Sequence, residues 1–318
     1  MMNLIINECA KLFRRPGTIV MLAIIAVLAA GLGGYFKYDE VKHPSQENVH
    51  WKKDLQTELK EDRETMASFG KSNQNMKKFY ERQIAIKEYR ISNDMAPEAE
   101  QNVWTFVRDT KGLISIVGVF TIIVAAGMVS SEFSWGTIKL LLIRPTSRVK
   151  ILLSKYLTLL LFSLMLLSLL FTVSALAGLI FFGLPESSVP HLAFTNGEVV
   201  ERSIFLQLIG EYLLSSIGML MLATMAFMIS TVFRNSSLAV GISLFLLLMG
   251  DMVTKIFAGS FTWAKYVLFA NTDLSVYFDG VPLVEGMTFS FSVIMLVVYF
   301  LIFQLLAFGV FSKRDVAA

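Results

Sequence analysis

The groups in this chain that could do chemistry are few and scattered. One cysteine, Cys9, leaves no intrachain disulfide and no Cys-based zinc site. None of the three histidines, His43, His50 and His191, has an i, i+4 partner of the kind that holds zinc in a metalloprotease. Gly70-Lys71-Ser72 matches the end of a phosphate-binding loop, but that motif needs another glycine five residues earlier, where Thr65 stands. No Ser, His and Asp fall near one membrane depth. What remains is charge set in apolar surroundings: Glu211, and Asp251 with Lys255, spaced i, i+4 with the acid first as suits a helical ion pair. One reading makes these three a polar element near a substrate path. The other makes them helix-end charges in the headgroup layer. No catalytic centre, cofactor or metal is expected.

A second group of residues is unlike a plain connector. Residues 130–150 read Ser-Ser-Glu-Phe-Ser-Trp-Gly-Thr-Ile-Lys-Leu-Leu-Leu-Ile-Arg-Pro-Thr-Ser-Arg-Val-Lys. Glu132 closes an apolar stretch, and Phe133 and Trp135 follow. Gly136-Thr137 breaks the chain, and a short apolar helix leads to Arg144-Pro145, where proline ends it. Ser147 is placed to cap whatever helix follows. Phe133, Ile138, Leu141 and Leu142 give the short helix an apolar face, suited to contact with something outside the membrane.

The elements that hold these residues are set by composition. Of 318 residues, 55% are hydrophobic without counting glycine and 17% are charged. An average soluble domain is about 45–50% apolar with glycine included, and about 25% charged. Mean hydropathy is +0.61, and a net charge of +3 gives no case for nucleic acid. A bilayer core takes about 20 apolar residues of helix, and six stretches meet that length: 18–36, 112–131, 151–182, 212–232, 237–257 and 288–311. The first has an apolar run longer than the roughly 7–15 residues of a signal-peptide core, so it is expected to stay as a span. The third exceeds what a bilayer needs, so tilt is expected, with Lys155 snorkelling to the interface.

The polar pieces have their own patterns. In residues 1–17, Met2, Ile5, Ile6, Cys9, Leu12 and Phe13 form one helical stripe, while Asn3, Asn7, Glu8, Lys11 and Arg14 take the other face. That predicts an interfacial amphipathic helix, broken at Pro16-Gly17. In residues 37–111, Trp51, Leu55, Leu59 and Met66 mark one apolar face and Met76, Phe79, Tyr80 and Ile84 another, which predicts an antiparallel helical hairpin turning at 69–73. Pro97 suits the first position of a short helix feeding the second span. Segments 183–211 and 258–287 are expected loops, and 312–318 a tail. Lys and Arg crowd the connector 132–150, the turn at Arg234 and both termini, which predicts cytoplasmic termini in a plasma membrane with the hairpin outside. The expected fold class is an all-α integral membrane protein with six transmembrane helices.

The connector resembles that of the permease subunits of type-2 ABC exporters, in the subset with a large first extracellular region. The matching elements are Glu132, Gly136-Thr137, Leu141-Leu142 and Pro145-Thr146-Ser147-Arg148, followed by Ile151 and Lys155. The resemblance extends to the order of interfacial helix, six spans and inside termini. It implies that 132–148 is a coupling helix seated on an ABC ATPase subunit, with Glu132, Phe133, Gly136, Thr137, Ile138, Leu141, Leu142, Pro145, Ser147 and Arg148 carrying the contact. It implies two ATPase copies, a second permease, identical or homologous, and a surround of membrane lipids. Peptide antibiotics, lipids and ions are all within the family's range. Competing readings are a membrane sensor or scaffold whose outer hairpin binds a ligand, and a membrane-embedded enzyme, which would need a polar cluster at midplane depth.

Overall fold

The computed structural model describes residues 1–44, 50–69, 73–97, 101–137, 146–185, 190–195 and 197–313. The described residues form an almost wholly helical multi-pass membrane protein, with six helical segments long and apolar enough to cross a bilayer. Helix α1 (Met2–Phe13) meets α2 (Pro16–Lys42), the first span, at a break where Pro16 takes the first helical position, as its missing N–H allows. A hairpin follows, α3 (Trp51–Ser68) and α4 (Gln74–Ser92). Then come α5 (Val103–Asp109), a 3-10 turn at Thr110–Leu113, and α6 (Ile114–Ser134), which together make the second span. Helix α7 (Arg148–Phe181) is the third span, followed by strands β1 (His191–Thr195) and β2 (Glu198–Arg202). Spans four and five are α8 (Ile204–Phe233) and α9 (Ser236–Ala258). A one-turn helix, α10 (Val276–Asp279), precedes the sixth span, α11 (Phe289–Lys313).

Burial sorts the spans. Spans two and four bury 56% and 61% of their most apolar stretches, while spans one, five and six bury 17–22%. The central pair meets through small residues: Ala125, Ala126, Ala223 and Ala226 are all buried, and Gly118 abuts Met219. In lipid, where apolar burial gives helices no reason to associate, such close approach is what holds them together. The pair is also pinned by Ser230, whose hydroxyl donates to the Ala126 carbonyl (2.5 Å) and accepts from the Ser130 N–H (3.2 Å).

Several boundaries differ from expectation for local reasons. The second span starts nine residues early, at Val103, because Asn102 forms a capping box with Thr105. Pro97 accordingly lies in the coil before it, not at a helix start. The 3-10 turn at 110–113 interrupts the helical ladder, and Tyr212 Oη donates to the Val107 carbonyl there (2.8 Å). That serves a backbone group the membrane cannot. Segment 183–211 is not wholly loop: β1 and β2 pair antiparallel with Thr195 opposite Glu198, and α8 begins at Ile204. The two-residue connection is Asn196-Gly197, with Gly197 at φ +91°. Asn-Gly at that position is a strong hairpin signal.

The helical hairpin is as expected. Its ion pairs Lys52–Asp94, Glu58–Lys87, Asp62–Lys87 and Arg63–Glu88 run in opposite chain directions, the signature of antiparallel helices. Leu55, Leu59 and Ile84 are buried between them. Its turn, residues 70–72, lies outside the described residues.

Spans two and three touch closely at Gly178, where an added Cβ would stand 3.1 Å from both the Val103 Cα and carbonyl oxygen. Backbone cannot swing aside as a side chain can. Gly178→Ala is therefore expected to destabilise the purified protein by about 1–3 kcal/mol, the usual cost of overpacking. Gly31→Ala, with open space around it, should be neutral or stabilise by up to about 1 kcal/mol through helix propensity. Thermal unfolding of the two variants in detergent checks this; the reverse order would refute the packing argument.

Candidate functional site: a charged foot

Four charged side chains meet where α1, the end of α6 and the start of α7 converge. Lys155 Nζ lies 2.7 Å from Glu8 Oε2 and 3.0 Å from Glu132 Oε1. Lys11 Nζ lies 3.0 Å from Glu8 Oε1 and 3.3 Å from Glu132 Oε1. Thr137 Oγ1 donates to Glu132 Oε2. The cluster is two acids and two bases, so it carries no net charge. Lys155 keeps 3% of its side-chain exposure and each glutamate 10%, whereas Lys11 keeps 40%. Burial alone would lower the Lys11 pKa, but Glu8 and Glu132 outweigh it and hold the ammonium above the ordinary lysine range.

Local structure explains the convergence. In α1, Glu8, Lys11 and Leu12 fall one turn apart, so they share a face and present two charges and an apolar anchor to the bundle. Met2 and Ile6 are exposed on the opposite side. Glu8 and Lys11 were expected on the polar face of this helix; Glu8 is turned inward onto Lys155, and Lys11 leans over the edge of the cluster onto Glu8 and Glu132. Lys155 was expected to reach the interface; its ammonium is buried on two carboxylates. It sits two turns inside α7, about 11 Å from the helix start, and ends on carboxylates.

The connector residues divide. Glu132 points into the bundle, where its carboxylate accepts from Lys155. The half-buried Phe133 ring lies under the Arg234 guanidinium, 4.3 Å from its centroid, which joins the connector to the turn between spans four and five. Arg234 caps α8 in the left-handed region, φ +55°, and Asn235 caps α9 through the Leu238 N–H (3.0 Å). Gly136, at φ +71°, makes the chain reversal that brings Thr137 back onto Glu132. Trp135 is 67% exposed, with Arg15 stacked 5.6 Å away. Ser147 caps α7 through the Lys150 N–H, and Arg148 Nη1 donates to the Ser312 carbonyl (3.3 Å). Ile138, Leu141, Leu142 and Pro145, and with them the short apolar helix, lie outside the described residues.

The remaining candidates stand apart from this foot. Glu211 is buried two turns inside α8 and paired with Lys111 at 3.1 Å. Asp251 and Lys255 do form their i, i+4 pair, at 2.6 Å, with about 60% of each side chain exposed on α9. Sequence reasoning missed Glu8 and Lys11 as members of the site, and read Lys155 without its partners. The signal available was a lone cation inside an otherwise uncharged apolar stretch, which requires a counter-charge.

Removing one partner from a buried ion cluster strands the others. Lys155→Met should therefore cost about 3–5 kcal/mol of stability, while Lys11→Met, at the exposed edge, should cost less than about 1 kcal/mol. Thermal unfolding of the detergent-purified variants measures both, and equal losses would contradict the assigned burial.

Comparison with known proteins places this geometry in a lineage whose function is unassigned. The family model described as "Protein of unknown function (DUF2705)" matches residues 76–317. The chain is 48% identical over 322 residues to the uncharacterized protein YhcI of Bacillus subtilis (strain 168), covering all of both chains. It is 33% identical over 222 residues to the uncharacterized membrane protein YdbK of the same organism, covering 68% of this chain and 85% of that one. With the family model spanning most of its length, the chain belongs to the DUF2705 family.

Proposed function

We propose that this chain is the permease subunit of an ABC exporter, a membrane path driven by a separate ATPase. The observation that carries the reading is the Glu132-centred foot. It ties the entry to the connector 132–150, the interfacial helix and the third span into one unit. An ATPase that pushes on the connector would then move α1 and α7 together with it, because separating them would leave buried charge unpaired. The exposed Trp135 beside Arg15 supplies an aromatic anchor of the type that dominates protein interfaces. Phosphate-binding loops were not found in the sequence, so ATP hydrolysis belongs to the partner. Six spans enclose too little room for a bulky substrate, which argues for two permeases and two ATPases per transporter. The termini and the connector face the cytoplasm, the hairpin faces out, and the membrane is the plasma membrane. The exposed Asp251–Lys255 pair then sits toward the outer end of span five, where lipid solvates it poorly and a second permease or a wet substrate path solvates it better.

The reading is tested by purifying the chain from its native membrane, identifying the co-purifying chains, and reconstituting them. Native mass spectrometry should find two permeases with two ATPases. Glu132→Ala and Arg148→Ala should abolish permease-stimulated ATP hydrolysis while leaving membrane insertion intact. A stable monomer without ATPase, or wild-type turnover in both variants, sinks it. In a Cys9→Ser background, Ser68→Cys should react with an impermeant thiol reagent on intact cells and Ser147→Cys should not. The opposite labelling would invert the orientation.

A further inference from the structure

A cavity of about 290 Å³ lies on the hairpin side of the bundle, between α4, α5, β1 and the start of α8. Arg90 of α4, Thr105 and Arg108 of α5, and His191 of β1 give it polar lining, and Ile86 and Ile204 give it apolar walls. Thr105 is spent on the helix cap, accepting from the Asn102 N–H (2.8 Å) and donating to Gln101 Oε1 (2.9 Å). Arg90 donates to the Ala96 carbonyl (3.2 Å). The Arg108 side chain has no hydrogen-bond or ion-pair partner among the described residues, and His191 Nε2 is shut from solvent with none. A buried polar atom left unmet costs about 1–3 kcal/mol.

The acids whose charge reaches His191 are Asp279 and Glu211. Glu211 is held by Lys111, and the charge of Asp279 also acts on Arg82. Burial leaves the imidazole below its ordinary pKa, so at neutral pH one ring nitrogen is a donor and the other an acceptor. The cavity thus offers the Arg108 guanidinium, with the Arg90 guanidinium and the His191 ring in its lining, a cationic and polar set suited to the oxygens of a phosphate.

Its position narrows the source. Helix α5 opens the second span and α8 the fourth, so the cavity stands at the level where headgroups begin. Trp104 packs edge-on against Phe205 (5.8 Å), and Phe205 against Phe171 (6.0 Å), an aromatic cluster of the kind found at membrane–water boundaries. Beyond it, Phe205 and Leu206 are exposed along α8 and can lie beside acyl chains. The volume is at the lower end of small-molecule sites, which run about 300–1,000 Å³, enough for a head group and not for a whole lipid. We infer that this cavity binds the phosphate of an anionic phospholipid from the leaflet on the hairpin side. The inference stands apart from the transport reading, since it needs no ATPase and no orientation of the chain.

The test uses the full-length chain purified in detergent, with phosphatidylglycerol or phosphatidylcholine added and bound lipid counted by native mass spectrometry. Phosphatidylglycerol should be retained in preference to phosphatidylcholine, and Arg108→Gln should weaken its retention about tenfold or more. Lys52→Gln should not, because Lys52 pairs with Asp94 within the hairpin and is absent from the lining. Should Arg108→Gln fail to fold, competition on the wild-type chain decides: glycerol 1-phosphate should displace phosphatidylglycerol. Equal retention of the two lipids, retention unchanged in a folded Arg108→Gln variant, or no displacement overturns the site. Thermal stabilisation by inorganic phosphate with no lipid retained overturns the lipid as its occupant.

Discussion

The ammonium of Lys155 is the constraint around which one end of this molecule is organised. Moving such an ion from water into a low-dielectric interior costs several kcal/mol even after relaxation. Only close, well-directed carboxylates offset that. Two are present, and they come from segments 147 and 23 residues away in sequence. Each carboxylate in turn touches Lys11, and Glu132 also takes the Thr137 hydroxyl. The position of α1 under the bundle is therefore set by charge geometry as well as by Leu12, and a helix that apolar contact alone could let slide is held at one register.

The same foot is bound to the centre of the bundle. Ser230 bridges spans two and four one turn above Glu132, and Phe133 lies against Arg234 at the turn into span five. Interiors packed this way change between discrete arrangements and do not deform smoothly. A force applied to residues 132–137 would find α1, α7 and the turn at 234 already engaged, so a displacement either carries them together or breaks a buried pair. That mechanical linkage is what the proposed coupling role rests on.

Much of this was legible in the sequence, and the failures are instructive. Six spans follow from apolar length, and the hairpin from two helical stripes whose members Leu55, Leu59 and Ile84 are indeed the buried ones. Span ends were less legible, because capping decides them: Asn102 with Thr105 starts the second span before its apolar run becomes obvious. The strands at 191–195 and 198–202 are joined by an Asn-Gly pair readable in the sequence, but five-residue strands between two spans are easily taken for loop. The foot was half legible. Glu132 and Thr137 stood out through their spacing, whereas Glu8 looked like one more polar residue on an amphipathic helix. Periodicity assigns a residue to a face but does not say whether that face meets water or a buried lysine.

The two ends of the molecule are fastened by different physics. At the hairpin end, α4 holds the segment between spans five and six through the Asn75 side chain on the Val284 carbonyl (3.2 Å) and Arg82 on the Gly280 carbonyl (3.1 Å). Tyr89 reaches Glu201 of β2 at 3.1 Å, an exposed bond. The pairs within the hairpin are largely exposed too, and exposed pairs contribute about 0–1 kcal/mol each and are screened by salt. The Lys155 contacts at the foot are buried and shielded from salt. Salt is therefore expected to loosen the ion pairs within the hairpin before those around Lys155.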